Sequence, residues 1–404
     1  MSAAAYRARI AGRARWRRVV GCAMAAGLFS GHAAADQLDT LNVVASGSIT
    51  RDSNVLRLPA SADPTGDTVR AVSAGLRLDK PYSLQRFQID VTETRTRFAN
   101  LPERNADTID YRGAWLWFLT PRIGGKLEAQ QVQSIVEGDE SQGTQRNVRT
   151  TRTQEFSLDA WVSGGWHLIL GADRREQRSE SSVATSPDFR AVGAQAGAMY
   201  EARSGNSISA IQYARVGEYI DREFVPGSLV DTRYYESESE LKITAKPTGR
   251  SALAGRVAWL ARRHEHLPER DFSGLVGRLD YNWTVMGRLR VDAAARRSIT
   301  ATTEPFSSYR VEDGLTLAPS WQVAEKTSLV LRLDYSTFRF LGPVAAPPGP
   351  LRRDALRTAA LTASWEATRN ATLRVSLQRQ RRWSNDPRFA YDATIGIATL
   401  VLTF

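Results

Sequence analysis

The sequence has almost no thiol. Its single cysteine, Cys22, lies near the amino terminus, so neither a disulfide framework nor a thiolate metal site is available. Histidine is scarce too, with four in 404 residues. Past the leader only His167, His264 and His266 remain. No Ser or Asp partner can be assigned to His167 by sequence, which removes support for a hydrolase triad. His264-Glu265-His266, with Glu269 or Asp271 nearby, falls in an expected external loop and reads as solvated chain rather than a metal site. There is no phosphate-cradling glycine loop and no redox motif. The chain therefore reads as a non-enzyme, with no catalytic residue, metal or cofactor.

Long apolar runs are also missing. After Ala35 no stretch reaches 18 apolar residues, which excludes helical membrane spans. The amino terminus carries Arg7, Arg9, Arg13, Arg15, Arg17 and Arg18, then a short apolar stretch from Val19 to Phe29, then Ala33-Ala34-Ala35 before Asp36. That is the order of a cleaved signal peptide over residues 1–35, leaving 36–404 as the mature domain. The formal charge of +11 shrinks with it, because losing six arginines leaves 48 basic against 43 acidic residues, a net of +5. Nucleic acid is not an expected partner.

What the chain does have is alternation. About eighteen segments place apolar and polar residues in turn, from 41–51 and 69–79 through 189–201 and 207–219 to 371–383 and 392–404. Tight-turn sequences such as Ser163-Gly164-Gly165, Arg203-Ser204-Gly205-Asn206 and Lys246-Pro247-Thr248-Gly249 alternate with longer polar connections near 52–67, 138–150, 220–232 and 341–354. Short turns on one side, long loops on the other and an even strand count describe an all-β transmembrane antiparallel β-barrel of the bacterial outer membrane. The chain also ends on an apolar strand and an aromatic residue, Phe404. Trp115, Trp117, Trp166, Trp259, Trp283, Trp321 and Trp365 fall near strand ends, where interfacial girdles would place them. A soluble β-sandwich would need bulkier inward residues than this pattern supplies.

The alternation assigns faces. Leu289, Val291, Ala293 and Ala295 point to lipid, opposite Arg288, Arg290, Asp292 and Arg296. The same split sets Leu329, Leu331 and Leu333 against Arg332 and Asp334, and Leu373, Val375 and Leu377 against Arg374, Gln378 and Gln380. Leu241 and Ile243 oppose Glu236, Glu238 and Glu240. The expected pore lining is thus of both signs: Arg278, Arg288, Arg290, Arg332, Arg374, Glu236, Glu238 and Glu240. Phe118 and Trp161 are further inward candidates, able to stack on sugar rings.

Residues 38–58, with the run Leu41-Asn42-Val43-Val44-Ala45-Ser46-Gly47-Ser48-Ile49-Thr50-Arg51-Asp52-Ser53-Asn54-Val55-Leu56-Arg57-Leu58, resemble the opening of the EpsL-type exopolysaccharide biosynthesis proteins. These are outer-membrane barrels tied to polysaccharide loci, some associated with exosortases. Asp52, Asn54 and Arg57 match the motif. Read from the residues alone, this segment bends the chain where the first strand leaves the membrane, with a saccharide-contacting cluster at the barrel mouth as the alternative. The resemblance implies a passive or gated conduit for exopolysaccharide, with outer-membrane lipid, exopolysaccharide and periplasmic or inner-membrane export components as partners. The alternatives are a docking component of a secretion assembly and a diffusion porin for small solutes.

Overall fold

The computed structural model describes residues 40–136, 144–181, 187–224, 231–302, 304, 306–343 and 349–404. The leader expected over 1–35 lies outside the described residues. Eighteen strands follow one another: β1 (Leu41–Asp52), β2 (Asp67–Tyr82), β3 (Gln85–Phe98), β4 (Ala106–Thr120), β5 (Ile123–Ile135) and β6 (Val148–Ser163). Then come β7 (Trp166–Ser179), β8 (Phe189–Glu201), β9 (Ser207–Tyr219), β10 (Arg233–Thr248), β11 (Ser251–His264) and β12 (Phe272–Met286). The chain finishes with β13 (Leu289–Ala301), β14 (Tyr309–Ala324), β15 (Thr327–Leu341), β16 (Arg353–Thr368), β17 (Ala371–Ser384) and β18 (Tyr391–Thr403).

Each strand pairs antiparallel with its sequence neighbours, and β18 returns to β1 from Val44↔Thr403 to Asp52↔Ile395, closing the sheet. The last residue completes the closure. Phe404 donates its N–H to the Val43 carbonyl and accepts from the Val43 N–H, both at 2.8 Å. A closed sheet leaves no unpaired edge, the condition for a β structure in hydrocarbon. Among the described residues no helix is long and apolar enough to cross a membrane; the crossing is made by strands.

All eighteen expected strands are present, and β8 and β9 have the bounds read from the sequence. Others run longer. β2 starts at Asp67 and β16 at Arg353, since the ladder continues into water with polar residues that no longer alternate. One expectation is corrected here: Arg288 is not in β13. It forms the turn with Gly287, and β13 opens at Leu289, because the ladder with β12 slips between Thr284 and Met286 and leaves room for a two-residue turn.

The alternate apolar residues form one face of the closed sheet. Ile89, Leu127, Leu168, Leu241, Leu279, Leu333, Leu361 and Leu400 are all exposed on it, and only lipid can cover such a band. Over the length of that band, charged residues occupy the other face. Polar side chains there span two strands: Arg215 of β9 reaches Asp173 of β7 over Gly193, and Arg296 of β13 reaches Ser336 of β15 over Gly314.

Among the described residues, two ladders stop short on the extracellular side. The β4–β5 ladder ends at Tyr111↔Gln131, although both strands run on towards the extracellular side. The β12–β13 ladder likewise ends at Gly277↔Arg297. Side chains bridge the first split: Gln133 N–H donates to Asp110 at 2.7 Å and Gln133 Oε1 accepts from Ile109 N–H at 2.8 Å. Apolar packing fills the second, where Ala258, Leu260, Phe272 and Val276 of β11 and β12 meet Ile299 and Val311 of β13 and β14.

Candidate functional site: a charged lumen

Residues i and i+2 of a strand share a face, and this spacing organises the inward charges. Arg278 bonds Asp280 at 2.6 Å, Arg290 bonds Asp292 at 2.8 Å and Arg332 bonds Asp334 at 2.7 Å. These three predicted arginines each carry a counter-ion two residues along the same strand. The three arginine side chains are 55%, 59% and 54% exposed. Side chains that point into a closed barrel and keep over half their surface accessible have open space before them.

The predicted glutamates lie on β10 in a denser cluster. Glu236 accepts from Arg215 of β9 and from Arg262 of β11, the latter at 2.7 Å. Arg256 bonds both Glu238 and Glu240, the second at 2.8 Å, and Tyr213 donates to Glu240 at 3.3 Å. Arg262 also lies 4.0 Å over the Tyr234 ring. This part of the wall is nearly neutral and, apart from the half-exposed Arg256, well covered. Further round the wall, on β4–β6, Arg112 bonds Glu128 at 2.7 Å, and Lys126 joins Glu128 to Glu155 at 3.3 Å each. Arg374 differs from Arg278, Arg290 and Arg332. Among the described residues it has no carboxylate at ion-pair distance, and it lines a niche of about 330 Å³ at the periplasmic end with Asn42, Arg77 and Asn370.

Phe118 and Trp161 fall on the same face as these charges, the first packed over Gly124 and the second beneath the Arg122 guanidinium at 4.4 Å. His167 holds Asp159 at 2.6 Å near the periplasmic turn. At the extracellular mouth, Asp354 accepts from Arg352 at 2.8 Å and from Arg382 at 2.6 Å, while Arg352 reaches Glu304 at 2.6 Å and stacks 3.4 Å over Phe389. Burial pushes the Glu304 carboxyl up and the Arg352 charge opposes it.

Asp52, Asn54 and Arg57 come together, but facing the protein. Asp52 accepts from the Asn54 N–H at 2.9 Å and from Arg57 at 2.8 Å. Asn54 donates to the Leu58 carbonyl at 2.8 Å and to the Asp392 carbonyl at 3.2 Å. All three are buried, and Arg57 holds a left-handed φ of 55°. The cluster ties the first loop to β18. The His264–His266 loop is organised around Asp231, which is fully buried and accepts from the N–H groups of His266 and Leu267 at 2.6 and 2.9 Å. Among the described residues no group of three His, Cys, Asp or Glu could hold a metal.

One signal was missed in the sequence reading. Leu-Pro-Glu-Arg occurs twice, at 101–104 and 267–270, each time as a 3-10 turn just before a strand with an interrupted ladder. Arg104 donates to the Val136 carbonyl at 2.9 Å and Arg270 to the Thr302 carbonyl at 3.0 Å. The following Asn105 and Asp271 accept from Phe98 and His264 N–H at 2.7 and 2.6 Å. The repeated tetrapeptide, eight strands apart, was visible without coordinates.

Residues 239–404 match the family profile described as "Putative beta-barrel porin 2". No curated protein matches. Among solved structures, OpdK of Pseudomonas aeruginosa with vanillate is similar at 10% identity and a TM-score of 0.52, over 90% of this chain and 99% of that one. A BenF-like porin from Pseudomonas fluorescens Pf-5 is similar at 10% identity and 0.51, over 90% and 98%. OccK2 (OpdF) of Pseudomonas aeruginosa follows at 11% and 0.52, over 90% and 97%. By fold, the chain is a porin-like β-barrel of the bacterial outer membrane.

Proposed function

We propose that the protein is a diffusion channel for small hydrophilic solutes. The observation that carries this is the open space before Arg278, Arg290 and Arg332, which point inward yet stay more than half accessible. A barrel of roughly sixteen to eighteen strands is wide enough for an aqueous channel. Interleaved guanidinium and carboxylate groups give a solute many weak polar partners and no deep single-sign trap, as passage requires. Such a lumen performs no covalent chemistry. The matched profile and the neighbouring structures favour a solute channel over the polymer conduit that residues 38–58 imply by resemblance, since neither concerns a polysaccharide.

The test is conductance in planar bilayers. The wild type should form ohmic channels. Changing Arg278, Arg290 and Arg332 to Glu together should move the reversal potential towards cation preference, because each new carboxylate sits beside an existing aspartate. Intact barrels without conductance would sink the channel. Normal conductance with exopolysaccharide lost from the surface of a deletion strain would restore the polymer conduit.

A further inference from the structure

The lipid-facing wall over β12–β17 is hollowed. Ala293, Ala295 and Ala359 stand among larger neighbours such as Leu317, Leu333 and Tyr335, leaving a groove of about 840 Å³. A second hollow of about 800 Å³ continues it past Gly255 and Gly277. Arg357, Arg379 and Arg381 line one edge of the groove. That edge is extracellular, since β16 descends from the long-loop side at Arg353 to the short turn after Thr368.

The charges there are unbalanced. Arg357 lies directly opposite Arg381 across β16–β17, and Arg339 opposite Arg353 across β15–β16. Like charges placed opposite one another on a sheet destabilise it. Asp392, directly opposite Arg381 across β17–β18, turns instead to Arg379 at 3.0 Å, and Asp313 is 3.1 Å from Arg339. Among the described residues neither Arg357 nor Arg381 has a carboxylate at ion-pair distance. Arg357 lies instead 5.7 Å from the centre of the Tyr335 ring, at the groove.

We infer that this groove docks a phosphorylated glycolipid of the outer leaflet, with an acyl chain laid over Ala293, Ala295 and Ala359 and a phosphate held by Arg357 and Arg381. Two guanidinium forks match the oxygens of one phosphate, and a doubly charged anion between them removes the repulsion that the bare wall carries. A neutral or zwitterionic headgroup would leave it. The inference is independent of what crosses the lumen.

Purified barrel in detergent is titrated with lipid A carrying its two phosphates and with the same lipid dephosphorylated, and retention is read by native mass spectrometry. The wild type should retain the phosphorylated lipid at least about tenfold more tightly, the ratio expected from one or two charge-assisted contacts. Arg357→Ala with Arg381→Ala should abolish that preference, and Ala359→Leu, which fills the groove, should weaken both lipids. Equal retention of the two lipids by the wild type overturns the inference, and that arm needs no variant to fold. A double variant that folds and keeps the preference overturns it as well.

Discussion

Asp231 shows how one residue can organise an extracellular rim. Its burial alone would raise the carboxyl pKa, but hydrogen bonds from His266, Thr232 and Leu267 outweigh that and hold it at about 2. A carboxyl lowered from 3.8 contributes stability that is complete above the unfolded value and is lost as pH falls through the folded one. Amide exchange at His266 and Leu267 should therefore stay slow down to about pH 4 and accelerate between about 4 and 2. Asp231→Asn should exchange faster already at neutral pH and lose that acid step. An unchanged profile in the variant would remove Asp231 from this role. The same scale explains why the motif at residues 52–57 could not be read fully from sequence. Asx chemistry predicted the bend, but the partner that buries Asn54 is the Asp392 carbonyl, 338 residues away.

At the level of strands and turns, pattern legibility follows solvent. Period-two alternation located every strand where lipid lies on one side and water on the other. It failed at polar ends such as Asp67-Thr68 and Arg353-Asp354, where both sides are wet. The outer groove was not legible either, because its depth depends on residues packed across several strands, while each strand alone reads as ordinary lipid-facing sequence. The two Leu-Pro-Glu-Arg turns do at the splits what the missing ladder cannot. Arg104→Ala and Arg270→Ala each leave a carbonyl without its guanidinium donor, and each should cost about 2 kcal/mol. Urea unfolding in lipid vesicles measures this, and an exposed control such as Arg369→Ala should cost less than about 0.5 kcal/mol. Equal effects at all three positions would mean the turns are incidental.

The whole molecule depends on closing β18 against β1, and Phe404 makes the last two backbone bonds of that seam. Deleting Phe404 should lower the yield of heat-modifiable, membrane-inserted barrel, and Phe404→Asp should lower it further by adding a side-chain charge at the lipid boundary. Wild-type levels in both variants would show that closure is decided elsewhere.

The two interrupted ladders divide the extracellular rim into unequal arcs, eight strands from β5 to β12 and ten from β13 through β18 to β4. A continuously hydrogen-bonded hoop resists every change of outline. A hoop with two nearly opposite joints resists much less along one diameter, because widening it strains a pair of guanidinium contacts, a few side-chain bonds and one apolar cluster, and breaks no ladder bond. The rim can thus pass between round and oval while the wall beneath keeps its register, so the bore at the surface has one soft axis, set by where Leu-Pro-Glu-Arg recurs.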